Sequence, residues 1–73
     1  MNNITYETLK ETAKILEIHS GLTLKVQSGN GCYGLQSVKE HGVEWLLNGL
    51  TKKELNTAIW GIIKTIWEMK ENN

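Results

Sequence analysis

The stretch LTLKVQSGNGCYG, residues 22 to 34, constrains the fold more than any other part of this 73-residue chain. Leu22, Leu24 and Val26 alternate with Thr23, Lys25 and Gln27. Successive side chains of a strand point to opposite faces, so the pattern predicts a strand with one buried and one wet face. Asn30-Gly31 then supplies two residues that tolerate positive φ, as a type I′ hairpin turn requires. The next segment, CYGLQSVK, is predicted to return antiparallel, with Tyr33 and Leu35 on one face. Gly34 within it marks a bulge or a close approach of another group. A chain that forms this hairpin is committed to an antiparallel sheet near its middle.

The same glycines, Gly29, Gly31 and Gly34, also spell G-x-G-x-x-G after a strand. A dinucleotide-binding loop needs a helix opening at the last glycine, so that its N-terminus faces the pyrophosphate. It also needs an acidic residue about 20 positions further on. The following LQSVKEHG is too short and too poorly patterned for that helix, so the glycines read as a turn and no cofactor is expected.

Helical patterns flank the hairpin. NITYETLKETAKILEIHSG places Leu9, Ala13 and Leu16 on one face, with Tyr6 beside them. Thr5 is positioned to cap this helix, Ile4 and Leu9 to staple it, and Gly21 to end it. After the return strand, EHG turns the chain again, and VEWLL predicts a third strand with Val43, Trp45 and Leu47 on one face. Thr51 and Glu54 then form a capping box, with Leu50 and Leu55 as a second staple, opening a helix that runs to about Lys70. The expected fold is α+β in the order α-β-β-β-α, one domain over residues 1–73. Its three-stranded antiparallel meander carries both helices on one face. The register of the second strand leaves open whether Tyr33 and Trp45 are core or surface.

Composition narrows the function. Eight Lys balance eight Glu, and there is no Arg, the usual bidentate reader of phosphate and guanine. No net charge advertises a nucleic acid or a membrane surface. The N-terminus is polar, and no apolar run approaches the roughly 20 residues that cross a bilayer. A single cysteine, Cys32, excludes an intrachain disulfide, so a soluble cytoplasmic protein is expected. His19, Cys32 and His41 stand in no zinc-ligand spacing, so no metal is expected. Cys32 has no feature that would activate its thiol, and there is no Asp for a carboxylate pair. An enzyme is not expected.

The C-terminal helix says most about function. Leu55, Ile59, Ile62 and Ile66 share one face, flanked by Ala58 and Met69, and read as the core stripe. Trp60, Ile63 and Trp67 form a second stripe about 100° around the helix. Either the first helix covers these residues, or they form an exposed contact surface. Tryptophan favours the second use, because it buries a large area for few rotatable bonds. Small domains also gain from oligomerisation. The expectation is a non-enzymatic interaction module, acting as a homodimer or on a partner protein through Trp60, Ile63 and Trp67.

Two resemblances bear on this. The α-β-β-β-α order, with GLTKKELNTA opening the last helix, resembles the double-stranded-RNA-binding domain. Gly49, Thr51, Lys52, Lys53 and Ala58 occupy places comparable to that family's second-helix entry. The resemblance implies RNA binding by Lys52 and Lys53, as the alternative function. The chain departs from the family in its neutral charge and in having SGNG, without proline, where a Gly-Pro-x-His type loop is usual. The length, the element order and the G-x-T-K-K-E-L entry are also similar to short orphan proteins encoded by phages and prophages of low-GC Gram-positive bacteria. That resemblance implies a phage-derived protein that binds and redirects a host protein.

Overall fold

The computed structural model describes residues 4–71. Asn3, where the first helical stretch begins in sequence, lies outside them. The elements are α1 (Tyr6–Ser20), β1 (Leu24–Gly29), β2 (Cys32–Lys39), β3 (Gly42–Leu50) and α2 (Lys52–Glu71). The strands form one antiparallel sheet in the order β1-β2-β3. The order and class match the sequence expectation.

Local chemistry fixes the element ends. The Thr5 hydroxyl accepts the Thr8 N–H at 3.1 Å, which satisfies one of the free donors of α1. Gly21, at φ 76°, closes the helix, and its N–H donates to the Glu17 carbonyl at 2.9 Å. The Thr51–Glu54 box forms in both directions. The Glu54 N–H donates to the Thr51 hydroxyl at 3.1 Å, and the Thr51 N–H donates to the Glu54 carboxylate at 2.8 Å. Asn30 and Gly31 take φ values of 53° and 76°, so the hairpin has the left-handed turn that its sequence demands.

The two helices lie parallel, with their N-termini at one end of the molecule. Thr12 of α1 meets the Asn56 side-chain amide of α2 at 2.9 Å. Further along, the Trp67 indole N–H donates to the His19 ring at 3.2 Å. Leu9, Leu16, Leu35, Leu55, Ile59 and Ile63 are fully buried between the helices and the sheet, joined by Ala13 and Val26. Leu24, Tyr33, Leu47 and Leu50 pack against this core while partly exposed. Tyr6 ties α1 to β1 by donating its hydroxyl to the Val26 carbonyl at 3.0 Å.

Three sequence expectations need correction. Ile63 is not part of an outward stripe: it is 0% exposed, whereas Ile62, expected in the core, is 38% exposed. The cause is the position of α1. It packs on the flank of α2 that carries Asn56, and this turns the buried arc of α2 away from Ile62 and onto Ile63. Leu22 precedes β1 and is exposed, so the buried face of that strand is carried by Leu24 and Val26 alone. The third correction concerns β3. Leu47 pairs with Leu35, and Trp45 pairs with Gln36, so Leu46 is an extra residue between them. Directly paired residues share a face, so this bulge puts Leu47 and Trp45 on opposite sides of the sheet. Val43, Trp45 and Leu47 therefore do not form one stripe. The register also resolves the open question about Tyr33 and Trp45: Tyr33 packs on the core, and Trp45 stands on the face that carries no helix.

Candidate interaction surface

Trp60 and Trp67 are seven residues apart, so they project from the same side of α2. They are 40% and 45% exposed. Helix α1 covers Trp67 in part. The rings of His19 and Trp67 meet edge to face with centroids 5.3 Å apart. The Lys70 ammonium reaches the His19 carbonyl at 3.4 Å and closes the same corner. The Trp67 indole thus has one side packed and one side in water, and Trp60 is exposed to a similar extent. Ile63 lies beneath them as core and anchors the helix. Of the three residues expected to form the surface, two face solvent and one supports them from inside.

Lys52 and Lys53 stand in the first turn of α2, as expected, but they differ in surroundings. Lys52 is half-buried, with its ammonium 5.8 Å from the centre of the Tyr33 ring, within the range of a cation–π contact. Lys53 is exposed. A shallow hollow of about 760 Å³ opens beside them, lined by Thr5, Thr51, Lys52, Lys53, Asn56 and Thr57. It lies where the two parallel helices begin. The Glu54 carboxylate, held in the capping box, places a negative charge in the same turn.

The remaining titratable candidates are dispersed. Cys32 opens β2 and His41 lies in the turn that follows it, so the length of an eight-residue strand separates them. His19 is occupied at the end of α1 by Trp67. Among the described residues no three His, Cys, Asp or Glu side chains come together as a metal site. Among the described residues no helix is long and apolar enough to cross a membrane.

Sequence reasoning expected one sheet face without helices but did not place the apolar residues that stand on it. Val38, Val43 and Trp45 stand on it and are exposed, Trp45 49% so. The available signal was Gly34. A Cβ built there would lie 2.6 Å from the Leu47 carbonyl oxygen and 2.7 Å from Trp45 Cζ3. The glycine exists because the Trp45 ring and the β3 backbone press against it. Comparison with family models, with curated proteins and with solved structures returns no match to this chain.

Proposed function

We propose that this protein is a non-enzymatic interaction module that acts as a homodimer through α2, with Trp60 and Trp67 as the anchoring side chains. The observation that carries the reading is their half-exposure side by side on the flank of a helix whose adjacent arc, Leu55, Ile59 and Ile63, is fully engaged in the core. A rigid helix bearing two large rings needs little ordering on docking, which lowers the cost of association. The buried Ile63 fixes the helix from below. A partner protein that presents a complementary apolar groove would use the same surface. In the phage setting that the sequence resembles, that partner is a host protein.

Analytical ultracentrifugation tests this. The wild-type protein is expected to sediment as a dimer at micromolar concentration, and Trp60→Lys as a folded monomer. Trp60 is the better site for the test, because Trp67 also holds His19 and its loss would disturb α1. A wild-type monomer, or a Trp60→Lys dimer of unchanged affinity, would remove this interface.

A second reading, binding of double-stranded RNA, is favoured by the hollow at the joined helix N-termini and its two lysines. It weighs less because Lys52 is engaged by Tyr33 and because Glu54 offsets the charge of Lys53. The reading predicts binding to an RNA duplex that falls steeply with salt and is lost in Lys52→Glu, Lys53→Glu. Absence of binding at low salt disposes of it.

A further inference from the structure

A smaller hollow of about 280 Å³ lies at the hairpin end of the sheet, where Gln27, Ser28, Asn30 and Asn48 surround one side of Trp45. We propose that it binds a neutral saccharide, with one sugar ring stacked on the Trp45 indole and its hydroxyls hydrogen-bonded by the flanking amides. The site is separate from α2 and does not depend on dimerisation.

Three observations carry this. The first is the fixed platform. The bulge at Leu46 turns Trp45 to the uncovered face, and the absence of a Cβ at Gly34 lets the ring lie against the β2 backbone. The ring is held on one side and open on the other. An apolar plane with a few polar groups around it is the general form of a small-ligand site.

The second observation is the hydrogen-bonding inventory. Gln27 donates its Nε2 to Gln36 Oε1 at 2.9 Å, which leaves Gln27 Oε1 as an acceptor. Asn48 Oδ1 accepts the Gly49 N–H at 2.8 Å, which leaves the two N–H groups of Asn48 as donors. A hydroxyl both donates and accepts, so a polyhydroxyl ligand uses both kinds of group. The internal bonds engage one end of the Gln27 and Asn48 amides and leave the other end available.

The third observation is charge. No Lys, Glu or His lines the hollow. A single-stranded nucleic acid also stacks on tryptophan, but it requires a basic groove along its backbone. A neutral lining selects a neutral ligand.

Chitohexaose and cellohexaose serve as probes, and an oligothymidylate as the control, each titrated into isotope-labelled protein and followed by amide and indole NMR shifts. The expected result is saturable binding of at least one sugar, insensitive to salt, with shifts at Gln27, Asn30, Asn48 and the Trp45 indole. Trp45→Ala should weaken it about tenfold or more. Asn48→Ala, which leaves the ring in place, should weaken it about fivefold. Trp60→Lys should bind as the wild type does, so that loss of the dimer and loss of the sugar are read separately. Failure of both sugars to saturate, equal binding by Asn48→Ala and wild type, or preference for the oligothymidylate would overturn the proposal.

Discussion

Ile63→Ala should destabilise the monomer by about 2–5 kcal/mol, the usual cost of truncating a fully buried isoleucine. Ile63 is 0% exposed and belongs to the same cluster as Leu9, Leu16, Leu35, Leu55 and Ile59. It lies in the second half of α2, on the flank that α1 packs against, so the cavity would open where the two helices meet. A domain of this size has on the order of 4–11 kcal/mol in total, at about 0.05–0.15 kcal/mol per residue. Much of the margin would go with one side chain. Urea unfolding followed by circular dichroism measures this directly, and it should be done at several protein concentrations. A dimer adds a concentration-dependent term to apparent stability, whereas a core cavity does not. The expected result is a midpoint lowered by a similar free energy at every concentration. A midpoint unchanged at high dilution, with association lost, would place Ile63 in an interface instead. Trp60→Lys should show the converse, with a nearly unchanged monomer and weakened association.

The contrast between Ile63 and Trp60 shows what the sequence could and could not carry. Signals that act within a few residues were legible. Thr5, Gly21, Asn30-Gly31 and the Thr51–Glu54 box all sit where their local hydrogen bonds or φ values require. Element order and class followed from them. The facing of α2 was not legible, because helical periodicity defines an apolar arc without saying where its centre lies. The arc of α2 is wide, running from Ile62 through Ile66, Leu55 and Ile59 to Ile63 and Trp67. Its buried centre is set by α1, which lies parallel to it and meets Asn56 and Trp67. That is a tertiary fact, and no local pattern contains it. The facing of β3 was lost for a different reason. Strict alternation makes Trp45 and Leu47 neighbours on one face, and a single extra residue at Leu46 reverses this. The bulge has no composition of its own. Gly34 on the partner strand stands opposite a second irregularity, between Leu47 and Leu50, and does not report the one at Leu46.

Gly34→Ala is the other change expected to have a large effect, about 1–3 kcal/mol of destabilisation from overpacking. The reason is the identity of the atoms it would meet. The new Cβ would fall 2.6 Å from the Leu47 carbonyl oxygen, 2.7 Å from Trp45 Cζ3 and 3.2 Å from Asn48 Cα. Two of these are backbone, so rotating a side chain cannot relieve the clash. Either β3 moves away from β2 around the bulge, or the pairing of Leu35 with Leu47 slips. Both weaken the cover that Leu47 and Leu50 give the core. A double-mutant cycle separates the contributions. Trp45→Ala alone should cost little, since half of that ring is already in water and the core does not include it. In the Gly34→Ala, Trp45→Ala double variant the clash with the ring is gone and the clash with the Leu47 carbonyl remains. The double variant should therefore recover only part of the stability lost by Gly34→Ala, with a coupling energy of about 1 kcal/mol. Full recovery would mean that Gly34 serves only to seat the Trp45 ring. No recovery would mean that it serves only the bulge, and that the ring position on the open face is incidental to the strand geometry. Partial recovery identifies one glycine as the residue that both shapes β3 and sets its tryptophan outward.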